Sequence, residues 1–176
     1  MDNRFILTAF GKDRPGIVAD VTRILFENGC NLEDNSMTLL ADEFTLILLF
    51  SSPRANIQAL LLKACEDLER STGVSASIRP LESRRPLMQD GSCDCTLHVE
   101  GMDQAGIVYK ISRHLADRGI NIIDLKSAVK PSPESGTAIY LMDIHIQVPQ
   151  QMDLEQVESD LTSVADELHV DIALAR

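Results

Sequence analysis

Tryptophan is absent from this 176-residue chain, and aromatic residues make up only 4% of it. That leaves little material for the exposed aromatic platforms on which single-stranded nucleic acids stack. Basic residues are also short: 16 Lys and Arg stand against 27 Asp and Glu, giving a formal net charge of −11. Binding to a phosphate backbone or an anionic membrane surface rests on Lys and Arg, so direct contact with either is disfavoured. The most apolar stretch, Phe44 to Phe50, is far too short to cross a bilayer. The N-terminus carries Asp2 and Arg4 and lacks a signal-peptide layout. The four cysteines (Cys30, Cys65, Cys93 and Cys95) have no framework spacing. A reduced, cytoplasmic protein is expected.

What the chain does have is a repeat. Leu7 to Asp34 reads LTAFGKDRPGIVADVTRILFENGCNLED, and Leu97 to Asp124 reads LHVEGMDQAGIVYKISRHLADRGINIID. At a constant offset Gly11 meets Gly101, Asp13 meets Asp103, Gly16 meets Gly106, Gly29 meets Gly119 and Asn31 meets Asn121. The repeat is too long for a solenoid unit and marks a duplicated domain. The expected division is a first domain over 1–82, a linker over 83–91 (SRRPLMQDG lies there) and a second domain over 92–176.

Within the first copy, Phe5 to Gly11 reads as a strand. Asp13 is expected to cap a helix with Pro15 in its first turn, and Ile17, Val18, Val21, Ile24 and Leu25 recur at helical spacing up to Gly29. Asn31 to Leu40 reads as a second strand, and Phe44 to Ser51 as a third after a reversal at Asp42-Glu43. Ser52-Pro53 is expected to open a second helix with Ile57, Leu60, Leu61, Ala64 and Leu68 on its buried stripe. Val74 to Leu81 is then the last strand. The second copy repeats this order: Asp103 is expected to cap its first helix, and Asp153 with Gln156 to form a capping box on its last. PSPESG (131–136) lengthens its hairpin. Each copy is therefore expected to be α+β, a ferredoxin-like βαββαβ unit: a four-stranded antiparallel sheet with two helices on one face.

The third strands separate the copies. Phe44, Leu46, Leu48 and Phe50 align with Tyr140, Met142, Ile144 and Ile146, an apolar parity expected under the helices. The opposite parity is Thr45, Ile47 and Leu49 in the first copy but Leu141, Asp143 and His145 in the second. A sheet with one wet face should alternate. Thr45, Ile47 and Leu49 are therefore expected to lie under another sheet or subunit, and burying Ile47 and Leu49 contributes about 1.5–3 kcal/mol each. A homodimer is the simplest cover.

The shared segment Gly-x-Asp-x-(Pro/Ala)-Gly-Ile-Val lies between a strand and a helix. It lacks the Gly-Lys-Ser/Thr of a Walker loop and the GxGxxG of a dinucleotide site. A helix N-terminus with free amides can hold a carboxylate. Asp13, Asp103 or a backbone carbonyl can take an ammonium, and Asn31 or Asn121 offers a donor and an acceptor. Such a set suits a small zwitterion. The same spacing also serves a purely structural turn, with Asp13 a cap and Gly16 a packing residue.

DRPGIV, a helix, GCNLED and then DEFTLILLF resemble the ACT domain, an amino-acid-sensing regulatory module. The pair of copies is similar to the tandem-ACT family of the glycine cleavage system transcriptional repressor. The resemblance implies the βαββαβ fold, an effector amino acid at the turn before the first helix, and pairing between ACT domains. It also implies action through a protein partner such as a transcription activator, with glycine as the favoured ligand. The site residues it implies are Asp13, Arg14, Pro15, Gly16, Ile17 and Asn31, and in the second copy Asp103, Gln104, Ala105, Gly106, Ile107 and Asn121. Gln104 and Ala105 depart from the Arg-Pro of the motif, so the second copy is expected to bind weakly, bind something else, or serve as scaffold.

No enzyme, metal or cofactor is expected. His98, His114, His145 and His169 fall on different elements, without a helical partner at ligand spacing. Cys93-x-Cys95 supplies two thiols but no second pair. No serine sits in a nucleophile-elbow context. An RNA-recognition sheet is set aside because Phe44 and Phe50 belong under the helices. Two other readings remain: a ligand-independent double-ACT scaffold, and the detached regulatory subunit of a metabolic enzyme.

Overall fold

The structure, a computed structural model, describes residues 3–54, 56–81, 92–132 and 136–175. The chain divides into two compact units, Met1–Arg84 and Arg85–Arg176. The expected linker lies outside the described residues, as does part of the PSPESG turn.

Unit 1 runs β1 (Asn3–Lys12), α1 (Ile17–Glu27), β2 (Asn31–Leu40), β3 (Glu43–Ser52), α2 (Ile57–Thr72) and β4 (Ser75–Pro80). Its strands form one antiparallel sheet in the order β2-β3-β1-β4. Unit 2 repeats this with β5 (Cys93–Met102), α3 (Ile107–Asp117), β6 (Asn121–Pro131), β7 (Ala138–Val148), α4 (Leu154–Leu168) and β8 (Val170–Ala175), in the order β6-β7-β5-β8. The expected βαββαβ fold is thus present twice.

Strand alternation assigns the faces. Phe5, Leu7 and Ala9 of β1 and Phe44, Leu46, Leu48 and Phe50 of β3 are buried against Ile17, Val21 and Leu25 of α1 and Ile57, Leu61, Cys65 and Leu68 of α2. The rings of Phe5 and Phe50 stack 5.5 Å apart. Phe44 and Phe50 are therefore core residues, unavailable for base stacking. In unit 2, Cys95, Leu97 and Val99 meet Met142, Ile144 and Ile146 beneath Ile111, Leu115, Val157 and Leu161.

Four local expectations are corrected. Leu60 is not on the buried stripe of α2; it is 54% exposed, and Cys65 takes a core place instead. β3 continues through Ser52, so α2 begins only at Ile57. Asp153 does cap α4, accepting from the Glu155 amide at 3.0 Å, but Gln156 turns its amide to Asp160 and closes no capping box. The fourth concerns Asp13, Asp103 and Pro15, and is described with the turn.

Candidate functional site

The β1–α1 turn is built around Gly16. This residue is the N-cap of α1 with φ 88° and ψ −5°, and Gly106 is the N-cap of α3 with φ 98° and ψ −5°. This left-handed region suits glycine because a Cβ there meets its own backbone. Close packing is not the reason: a Cβ on Gly16 would approach only Arg14 Nη1, at 3.9 Å, and one on Gly106 would meet no atom within 4 Å. Neither N-cap has a side-chain hydrogen bond, so Asp13 and Asp103 are not caps. A glycine between them and the helix has taken that position, and Pro15 precedes the first helical turn rather than entering it. The backbone amides of Asp13 and Asp103 instead tie the turn to the neighbouring hairpin, donating to the carbonyls of Asp42 (2.8 Å) and Ala138 (3.3 Å).

The helix N-terminus keeps unpaired donors. In unit 1 the Ile17 amide reaches the Arg14 carbonyl at 3.3 Å and the Asp20 amide reaches that of Gly16 at 2.9 Å. Among the described residues, the amides of Val18 and Ala19 have no backbone acceptor. Asp13, Arg14, Pro15 and Gly16 are exposed around them, and Ile17 is buried as the first core residue of α1.

The charges at this end go beyond what the sequence suggests. Arg14 folds back over the turn, donating to Asp20 Oδ2 at 2.6 Å and to the Pro15 carbonyl at 3.3 Å. Asp20 also lies 3.6 Å from Arg23. Asp20 is not among the expected site residues, although an acidic residue in a first helical turn is a recognised signal of a helix start. In unit 2 the pattern changes: Gln104 donates to the Leu168 carbonyl at the end of α4, and Lys110, at the position equivalent to Asp20, pairs with Glu167 at 2.6 Å. That bond holds the Glu167 carboxyl below its usual range. The second bend is thus tied to the end of α4, whereas the first is bonded to its own helix, Arg14 to Asp20 of α1, and Asp13 stays exposed beside it in sequence.

Asn31 does not join the turn within one unit. Gly11, at the turn end of β1, is opposite Phe44, whereas Asn31 is opposite Ser51. Those positions are seven residues apart along β3, about 23 Å at ~3.3 Å per residue. Asn121 opposite Gln147 and Gly101 opposite Tyr140 repeat the separation in unit 2. A strand, a helix and a strand carry the chain to one end of the sheet and back, so the residue that starts β2 lies at the far end from the turn.

A cleft of about 460 Å3 occupies the flank between these ends, lined by Ala19, Thr22, Arg23, Leu25, Phe26, Cys30 and Leu32. Phe26 is 83% exposed there. All ten residues of β2 are exposed and it forms an edge of the sheet. On the helix-free face Thr45 and Ile47 are exposed and Leu49 is half-buried, while of the equivalent side chains in unit 2 Leu141 is half-buried and apolar and Asp143 and His145 are polar and paired. There, His98 Nδ1 lies 2.6 Å from Asp143, and Thr96 Oγ1 lies 3.3 Å from His145 Nδ1. Cys93 and Cys95 share a strand face with sulfurs 3.6 Å apart. Among the described residues no group of three or more His, Cys, Asp or Glu is placed to hold a metal ion, and no helix is long and apolar enough to cross a membrane.

Comparison with known proteins agrees with this geometry. A family model described as the ACT domain matches residues 3–78 and again 96–174. The glycine cleavage system transcriptional repressor of Escherichia coli (strain K12) is 30% identical over 173 residues, covering 93% of this chain and 85% of that protein. A crystal structure of an unknown protein from Galdieria sulphuraria superposes with a TM-score of 0.82 at 30% identity, covering 99% of this chain and 98% of that one. A structure assigned as a glycine cleavage system transcriptional repressor shares the fold, with a TM-score of 0.72 at 23% identity over 99% of this chain and 96% of that one.

Proposed function

The chain belongs to the ACT domain family, in the tandem-ACT group that includes the glycine cleavage system transcriptional repressor, and from that premise we propose that this regulatory protein senses a small amino acid at its first turn and relays it through a protein partner. One observation carries the reading: the bend at Gly16 leaves the amides of Val18 and Ala19 without a backbone acceptor among the described residues, at the end of a turn whose Asp13 is exposed. The amides and the helix dipole suit an α-carboxylate, the dipole contributing about 0.3–1 kcal/mol. Asp13 suits the α-ammonium. A ligand with a small side chain, glycine foremost, fits a bend already crossed by Arg14.

Asn31 completes the site from a second copy. A neighbour laid end over end along the α1–β2 flank brings its Asn31 to this turn, and the exposed Phe26 and Leu32 are the apolar surface such a neighbour covers. A ligand held by two copies favours their paired arrangement over any other, and that differential affinity is the switch. The Gln104 turn, bonded to Leu168, serves as scaffold. The helix-free face bearing Thr45, Ile47 and Leu49 is a further contact between copies. The partner is a protein such as a transcription activator in the cytoplasm, since the charge of −11 disfavours DNA. No catalytic chemistry is assigned.

Calorimetric titration of the whole protein with each of the twenty amino acids tests the reading. Saturable heat from glycine or another small amino acid is expected. Silence from all twenty, with the protein folded, would leave the ligand-independent scaffold, a reading favoured by the internal bonding of the second turn.

A further inference from the structure

The helix-free face of unit 1 has two charges, Asp34 and Arg79, arranged for pairing with a second copy, beside Arg4, which is paired within the unit with Glu33 at 2.7 Å. The strand register sets its side chains in rows across the order β2-β3-β1-β4. One row is Asp34, Leu49, Ile6 and Arg79; the next is Ser36, Ile47, Thr8 and Ser77. Each row therefore has an apolar or hydroxyl-bearing middle, and the first carries an anion at one edge and a cation at the other. A cleft of about 240 Å3 runs beside Ile6, Asp34, Ser36, Ile47 and Leu49, which places these residues on one surface. Among the described residues neither Arg79 nor Asp34 takes part in an ion pair; Asp34 accepts only from the Asn35 amide, at 2.7 Å.

We infer that this face packs on the same face of a second copy about a two-fold axis that runs parallel to the strands, between β1 and β3. The inference rests on the homodimer reading given above and specifies its geometry. Rotation about that axis keeps each row in place and exchanges its two edges. Ile6 then lies over Leu49 of the second copy, Thr8 over Ile47, and Arg79 over Asp34, giving two ion pairs around an apolar centre. An axis perpendicular to the strands sets β4 over β4 and β2 over β2, and forms neither pair. Stacked sheets lie ~10 Å apart and twist by about 30°, a gap that an Arg and an Asp side chain together span.

Unit 2 lacks the arrangement. Its corresponding rows are Asp124, His145, Thr96 and Ala175, then Lys126, Asp143, His98 and Ala173. Its charges pair within the unit, Lys126 with Asp124 at 2.9 Å and His98 with Asp143 at 2.6 Å. Four strands ~4.8 Å apart over about eight residues give roughly 500 Å2 per copy, and the two together about 1,000 Å2, the lower bound for a specific interface. The association is accordingly weak and concentration-dependent.

The test is a charge swap followed by sedimentation across a concentration series. Arg79→Asp leaves both edges acidic and Asp34→Arg leaves both basic. Each variant alone is expected to weaken association at this face at least about tenfold, because like charges then meet. An equimolar mixture of the two is expected to associate as the wild type does, since both edges of a mixed pair again set a carboxylate against a guanidinium. Both positions are exposed, and circular dichroism checks that the variants fold. Wild-type protein that stays monomeric at every concentration would overturn the homodimer reading and leave the face to a partner of another kind. Wild-type protein that associates, with single variants and mixture indistinguishable from it, would overturn this geometry alone.

Discussion

Replacing Gly16 should cost stability in proportion to how poorly the new residue tolerates a left-handed backbone. The residue sits at φ 88°, and the nearest atom to an added Cβ is Arg14 Nη1 at 3.9 Å, so steric packing adds little. An alanine in this region costs roughly 1–2 kcal/mol. Against that, alanine narrows the unfolded ensemble and returns about 0.4–1 kcal/mol. The net loss for Gly16→Ala is therefore about 0–1.6 kcal/mol, centred near ~0.8 kcal/mol. With a urea dependence of ~1–3 kcal/mol per molar for a domain of this size, the midpoint of unit 1 should fall by a few tenths of a molar to about 1 M. Gly16→Asn should lose least, since asparagine visits this region most readily, and Gly16→Val most, since a β-branched side chain does so least. The same order is expected at Gly106, where φ is 98°. Urea titration followed by circular dichroism reads it. An alanine variant clearly more stable than the wild type, or an asparagine no better tolerated than valine, would refute the conformational account of the turn.

Gly101 is required for a different reason: a Cβ there would lie 2.6 Å from Val170 Cγ1 and 3.1 Å from its Cα, so Gly101→Ala should lose about 1–3 kcal/mol by overpacking, measurable as a lower thermal midpoint, with Val170→Ala in the same chain recovering part of it. His114 is held below its usual pKa, first by burial and then by the charge of Arg118, and among the described residues its buried Nε2 has no hydrogen-bond partner. The unfolded chain therefore takes up the proton first. The contribution of His114 to unit 2 should be complete above about pH 6.5 and decline as the pH falls toward the lowered folded value, and His114→Gln should flatten stability against pH in that window.

The fold was legible because its signals are local and periodic. Val21 and Leu25, or Phe44, Leu46 and Leu48, declare a helix or strand face without any knowledge of what covers it, and Gly29 and Gly73 mark where helices stop. The turn was legible as a place but not in its roles. Asp13 matches the residue type of a cap, yet Gly16 stands closer to the helix and its backbone conformation supersedes a side-chain bond. Leu60 fits the helical period but falls just outside the sector that α2 turns to the sheet. Asn31 groups with the turn in the sequence because both flank the same helix, and only the strand register shows them at opposite ends. The ion pair of Arg14 with Asp20 required knowing that the arginine folds back across the bend.

The central claim is that one amino acid is held by the bend of one copy and the Asn31 of another. The direct measurement is calorimetric titration of Asp13→Ala, of Asn31→Ala, and of an equimolar mixture of the two, with whichever amino acid the wild type binds. Each variant alone should bind little or nothing, while the mixture should regain saturable heat, because a mixed pair contains one site with both groups intact. A mixture as silent as its components, or an Asn31→Ala chain that binds as the wild type does, would contradict the shared site.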